Sequence, residues 1–285
     1  RLSSLGLTGI KPRTGYTLEG IFRDIEAFCE FKEKKNITDV PSLVIWDSIA
    51  NTSTESDTKT LNINETLGLK ARILSGKLPV LLNKINNANI TILAINQLRD
   101  DISMGMFTSN TPDLKHLDHD KKVPGGHSLM YNSSQMFQNS LKTSYDNEKN
   151  ESPYGFRSSI IKVKSVKNKF FPDNYTVELV VDVANGIDNV YTNFELLKKM
   201  KKINVSAWNS LVNYPDLKFR LKELRQIYNT DNKFKEKFDE EVFNTISTLK
   251  SQMNSLVNVE DFIDKGDENS ESTDTENLNE VFKNG

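Results

Sequence analysis

Apolar positions recur at helical spacing near the start of the chain. Leu18, Ile21, Phe22, Ile25, Phe28 and Cys29 fall three or four apart, which predicts an amphipathic helix over residues 17–35. After Pro41 the pattern changes to a short unbroken apolar run, SLVIWDS (42–48), expected to be a buried strand ending in an acid. A polar stretch without periodicity (51–66) reads as a loop. Helical spacing returns over 67–88, with Pro79 expected to kink or split the helix. NITILAIN (89–96) is a second apolar strand, and it ends in two side-chain amides, Asn96 and Gln97.

The order so far is helix, strand, loop, helix, strand, which argues for parallel strands covered by helices. Some thirty residues without clear periodicity follow, as far as the pair Gly125-Gly126. A connection of that length inside a domain is functional or disordered. Three strand-like runs come next, at 136–145, 158–170 and 175–183. They are separated by turn-forming residues and predict an antiparallel meander. From Phe194 to about Leu256 the spacing is helical throughout. The domains expected are a core over 1–190, a helical C-terminal domain over 191–258 and an acidic, disordered tail over 259–285.

Composition narrows this picture. The chain has 285 residues, 36% hydrophobic, enough for a sizeable core. No apolar run approaches the length of a membrane span, and no charged-then-apolar leader is present. The single cysteine, Cys29, sits in the first helix, where it reads as a buried structural thiol. One cysteine forms no internal disulfide and fits a reducing, cytoplasmic compartment. The net charge of −2 is uneven, since residues 260–285 carry nine acids and two lysines. The remaining 259 residues are therefore net positive by about five, and the acidic end fits either a solubilising tail or one that competes with nucleic acid for a basic surface.

Four stretches carry candidate chemistry. Asp47, with Ser48 beside it, stands at the mouth of a strand, where ligands of parallel sheets bind. A carboxylate there can hold Mg²⁺ through water. Gln97 ends the next strand, and its amide can hydrogen-bond a phosphate oxygen or an attacking water. Lys162, Lys164, Lys167 and Lys169 crowd one strand and its exit, fitting either phosphate contact or a protected edge. Gly125 and Gly126 allow close backbone approach to an anion. LKHLDHD (114–120) has no tight metal-ligand spacing.

Each signal alone is weak, but their order is specific. Asp47-Ser48, Gly68-Leu69 with Ala71-Arg72, Ile95-Asn96-Gln97-Leu98-Arg99, Met106-Phe107, Gly125-Gly126 and Val166-Lys167-Asn168-Lys169 closely resemble the RecA recombinases. The resemblance runs from near residue 1 to about 187 and more loosely beyond. It implies an α/β fold: a RecA-like P-loop NTPase core, mostly a parallel sheet with helices on both faces and an antiparallel meander at one side, with a small helical C-terminal domain.

It also implies roles. Asp47 resembles the acid near Mg²⁺, with Ser48 beside the nucleotide, and Gln97 the amide that senses the γ-phosphate of ATP. Lys167 and Lys169 resemble the pair that reaches a neighbouring subunit's ATP across a filament interface, as arginine fingers do. Loops 51–66 and 98–126 resemble the two DNA-binding loops. Leu67, Ile102 and Phe107 fall at apolar DNA-contacting positions, Arg72 and Arg99 at basic ones, and Gly125 and Gly126 would offer backbone N–H groups to phosphates. The implied cofactors are ATP and Mg²⁺. The implied partners are single-stranded DNA, homologous duplex DNA and further copies of the chain in a helical filament, with no membrane.

The sequence departs from the family's pattern in places. Asp100 and Asp101 stand where the family is less acidic, and like charge there should weaken phosphate contact. The second loop is longer around PDLKHLDHDKK, His127 replaces a usual Asn and Met130 a usual Lys. No G-x-x-x-x-G-K-[ST] occurs in the 285 residues. The expectation is an N-terminally incomplete recombinase, with the P-loop portion supplied as a separate fragment or through an interrupted gene, and with little ATPase activity of its own. The abundance of Asn, Lys and Ile points to an AT-rich genome, and the divergence to a phage version. Two rival readings are a hexameric helicase of the same fold and a non-catalytic DNA-binding fragment.

Overall fold

A computed structural model describes residues 16–59, 68–100, 114–118, 121–146 and 150–263, the last ten as backbone only. Leu67, Asp101, Ile102, Phe107 and the chain after Ile263 lie outside the described residues. The chain divides into two compact units, residues 1–133 and 134–285.

In the first unit, α1 (Leu18–Lys34) is capped by Thr17, whose hydroxyl accepts the Gly20 N–H at 3.2 Å. β1 (Ser42–Asp47) pairs in parallel with β2 (Ile90–Ile95), in register from Ser42 opposite Ile90 to Asp47 opposite Ile95. The crossover is α2 (Leu69–Asn87), which runs through Pro79 as one helix and is not split by it. Phe22, Ile25 and Cys29 of α1 pack with Leu74, Leu78 and Leu81 of α2 on Trp46 and Ile90. The Phe22 and Trp46 rings meet edge to face at 6.3 Å. The buried Lys32 ammonium donates to the Val40 carbonyl and, at 2.9 Å, to Ser42 Oγ, and so fixes the entry to β1.

Both helices cover the same face of β1 and β2, the face of Val44, Trp46 and Ile92. On the other face Leu43, Ile45, Leu93 and Ile95 are each about half exposed. The expected helices on both faces are thus seen on one face only among the described residues, and β1 and β2, expected to be buried, are buried on that face. A strand alternates its side chains, and among the described residues only one face of this pair has a covering layer. The unit closes with β3 (Arg99–Asp100), β4 (Lys121–Lys122) and α3 (His127–Asn132).

In the second unit, β5 (Gln135–Tyr145), β6 (Ser158–Asn168), β7 (Thr176–Asp182) and β8 (Gly186–Ile187) form an antiparallel sheet in chain order, the expected meander. Parallel pairing is confined to β1 and β2 among the described residues, whose other strand pairs are antiparallel. α4 (Asn189–Lys199) follows, capped by Asp188. The helical reading then fails over 203–219, where β9 (Ile203–Asn204), β10 (Asn209–Leu211) and β11 (Tyr214–Phe219) make a three-stranded antiparallel sheet. Short apolar runs do not distinguish helix from strand. Pro215 is costly inside a helix but tolerated here, because β11 is an edge strand. After a single 3₁₀ turn, α5 (Leu224–Thr230) and α6 (Asn232–Ile263) complete the unit. Its core joins Ile160 and Val180 of the meander to Tyr191, Phe194, Phe219 and Phe238. No helix among the described residues is long and apolar enough to cross a membrane.

Candidate functional site

The parallel register brings the ends of β1 and β2 together. Asp47 stands opposite Ile95, two residues before Gln97, and the Ile49 N–H donates to the Ile95 carbonyl at 2.9 Å. Asp47 and Gln97 thus share one end of one strand pair, and both are exposed. Ser48 is buried, and its hydroxyl oxygen has no hydrogen-bond partner among the described residues. The segment beyond is held by Trp46 Nε1, which donates to Thr52 Oγ1 at 2.9 Å, and by Thr52 Oγ1, which donates to the Ser48 carbonyl at 2.9 Å. No group of three or more His, Cys, Asp or Glu that could hold a metal exists among the described residues.

Asn96 acts in the other direction. Its Nδ2 donates to the Pro124 carbonyl at 2.8 Å, tying the end of β2 to the residue before Gly125-Gly126. Between these points the chain runs out and returns as the β3–β4 ladder, with Arg99 opposite Lys122 and Asp100 opposite Lys121. Strand alternation separates the two pairs onto opposite faces. On one, Lys121 Nζ and Asp100 Oδ1 form an ion pair at 2.7 Å. On the other, Arg99 and Lys122 line an open cleft of about 390 Å³ together with Lys70, Gly125, Gly126 and His127. Asp100, ion-paired to Lys121, is not among the residues that line the cleft.

Two cations directly opposite in an antiparallel pair destabilise it, and an anion between them would remove the cost. The glycines bring main chain to the same cleft. Gly125 has φ +101°, and a Cβ there would lie 2.6 Å from Leu129 Cδ1. Gly126 has φ +81°, and its Cβ would meet that of Ala71 at 3.1 Å. Lys70, on the first turn of α2, has its ammonium on the Ile49 and Ala50 carbonyls at 3.3 and 3.0 Å. Burial lowers its pKa, Asp57 opposes the shift, and the charge of Arg99 adds to it. The His127 ring rests near that of Tyr131, with centroids 6.3 Å apart.

Arg72 is exposed on α2 and does not line the cleft. Lys167 and Lys169 belong to the second unit, at the end of β6 and just beyond it. Lys167 is half-buried; burial lowers its pKa and the charge of Lys169 lowers it further. The Lys169 N–H donates to the Ser134 carbonyl at 3.0 Å, which holds the strand's exit against the start of β5. Sequence reasoning missed Lys70 and Lys122. Lys70 is the variable residue of Gly-Leu-x-Ala-Arg, and Lys122 lies in the apparent insertion, so neither had a motif to mark it.

The RecA N-terminal domain family matches residues 31–188, more than half of the chain. The chain belongs to the RecA family. Among curated relatives, Protein RecA of Campylobacter lari is 28% identical over 145 residues, which cover 51% of this chain and 38% of the relative. Protein RecA of Leptospira meyeri is 29% identical over 160 residues, 56% of this chain and 36% of the relative. That of Syntrophus aciditrophicus is 25% identical over 198 residues, 64% and 53%. The matched part is thus well under two thirds of the length of these relatives. The RecA family match contains Asp47, Gln97, the cleft and Lys167-Asn168-Lys169, and it ends before α4.

Proposed function

We propose that this chain is part of an ATP-dependent recombinase that binds single-stranded DNA as a filament and promotes homologous pairing and strand exchange. The observation that carries the reading is the Arg99–Lys122 pair beside Gly125-Gly126, in a cleft tied through Asn96 to the strand end that bears Gln97. In this proposal the cleft takes backbone phosphates, with Arg99 and the glycine N–H groups in contact and Arg72 on a flanking path. Leu67, Ile102 and Phe107 supply apolar contacts to bases. Asp47 holds Mg²⁺ through water. Its exposed carboxylate and the unpartnered Ser48 hydroxyl fit a Mg²⁺–nucleotide whose other ligands are phosphates and water. Gln97 senses the γ-phosphate, and Lys167 and Lys169 reach the nucleotide of a neighbouring copy. ATP hydrolysis then belongs to an assembly in which a P-loop accompanies these residues, in the same chain or a separate one, and it recycles the filament.

The test is fluorescence anisotropy of the 285-residue chain with a labelled oligonucleotide, followed by an ATPase assay. Salt-dependent binding is expected, weakened at least tenfold by the double change Arg99→Ala, Lys122→Ala. Absence of binding, even alongside a P-loop-bearing portion, would overturn the recombinase reading. DNA-stimulated hydrolysis by this chain alone would overturn the need for a P-loop from elsewhere.

A further inference from the structure

Lys70 belongs to two places at once. Its side chain lines the basic cleft with Arg99 and Lys122, yet its ammonium donates to the Ile49 and Ala50 carbonyls. Those carbonyls lie directly after Asp47-Ser48, in a segment held by the Ile49 N–H on the Ile95 carbonyl and by Thr52 Oγ1 on the Ser48 carbonyl. We propose that Lys70 is a positioning residue that reports phosphodiester in the cleft to the Asp47–Ser48 end of β1. The inference rests on the nucleic-acid reading of the cleft and adds a residue and a route to it.

The chemistry follows from donor count and acceptor strength. An ammonium has three donors, and two are engaged on neutral carbonyls. A phosphate oxygen is a charged acceptor, so it adds to the hydrogen bond an ion-pair attraction that a neutral carbonyl lacks. Lys70 is half-buried beside Arg99, and the charge of Asp57 only partly offsets the cost of its burial. A phosphate between Arg99 and Lys122 removes that cost and draws the ammonium towards the cleft. The Ile49 and Ala50 carbonyls then lose their donor and turn to water or to a new partner, so the strand end relaxes. Coupling is reciprocal: whatever reorders the segment after Asp47 must change phosphate affinity in the cleft by the same factor.

The experiment is an NMR titration of the 285-residue chain with oligo(dT), following the ¹³C carbonyl shifts of Ile49 and Ala50 and the amide shifts of Gly125 and Gly126. All four are expected to move together to one saturation point. In Lys70→Met, binding weakens about threefold to tenfold, as for loss of one phosphate contact. The glycine amides still respond in that variant, but the Ile49 and Ala50 carbonyls do not, and Lys70→Arg restores their response. Glycine amides that move in the unmodified chain while both carbonyls stay fixed would overturn the proposal, as would carbonyls that respond equally in Lys70→Met. If the glycine amides never move, the nucleic-acid reading itself fails, and this inference with it. Should Lys70→Met not fold, the unmodified chain decides alone.

Discussion

Arg99 and Lys122 stand directly opposite each other in the β3–β4 ladder, while the adjoining pair, Asp100 and Lys121, closes an ion pair at 2.7 Å. The ladder thus carries an ion pair on one face and, among the described residues, two facing cations on the other. Lys122→Glu is therefore expected to act with opposite signs. It should tighten the free ladder by up to about 1 kcal/mol, since a like-charged cross-strand pair becomes an opposite one. It should also nearly abolish oligonucleotide binding. Lys122→Gln should flatten the salt dependence of binding by about one unit of slope. Melting curves and anisotropy read the two effects separately, and unchanged binding in Lys122→Glu would remove the cleft as the site.

Asn96→Ala should cost about 1 kcal/mol, the ordinary worth of a lost side-chain hydrogen bond. Its consequence should be local, because the bond at 2.8 Å holds Pro124. Hydrogen exchange should accelerate over Val123, Gly125 and Gly126 and stay unchanged in the second unit. Uniform acceleration would contradict the assignment.

Gly126 combines φ +81° with ψ 177°, a region closed to residues with a side chain. Gly126→Ala should cost roughly 1–3 kcal/mol. It should also weaken oligonucleotide binding more than it weakens stability, because the N–H is redirected. Calorimetry beside anisotropy tests this. Gly125→Ala should be at least as damaging to the fold, since its Cβ would lie 2.6 Å from Leu129 Cδ1.

In the second unit Arg225 bridges Asp182 at 3.1 Å and Asp188 at 2.5 Å, with its guanidinium 4.3 Å from the centre of the Phe156 ring. Burial works to raise the Asp182 carboxyl, but donors from Asn185, the Ala184 N–H and Arg225 outweigh it, and its pKa lies below the ordinary range. A lowered carboxyl contributes stability that is present above about pH 3.9 and is lost as pH falls further. Arg225→Met should cost about 1–3 kcal/mol at neutral pH. The difference from the unmodified chain should shrink below pH 4, measured by urea unfolding across pH. A constant difference would rule out the Asp182 contact as its source.

Cys29 is buried among α1 and α2, and burial, with Glu33 adding to it, raises its thiol pKa. Reaction with a thiol reagent at pH 8 should therefore track unfolding of the first unit. Modification within seconds in the folded chain would show that the helix pair opens.

Much of this protein is legible in its sequence because much of it is local. The spacing of Leu18, Phe22, Ile25 and Cys29 fixes α1 and its buried side, since a helix relates residues three and four apart. The runs ending at Asp47 and Asn96 give two strands with polar ends, and the runs after Gln135 give a meander. What the sequence could not contain is register. That Arg99 meets Lys122 and Asp100 meets Lys121 depends on how two strands some twenty residues apart align, and a one-residue slip would exchange the partners. That Lys70 reaches the Ile49 and Ala50 carbonyls depends on how α2 lands beside the end of β1. Residues 203–219 became strands because Asn209, Ser210 and Leu211 are buried between two neighbouring strands, a tertiary gain that local spacing does not record. Periodicity along the chain determined the elements and the polar groups at their ends. Pairing between distant segments decided which charges oppose each other, and so where an anion would be held.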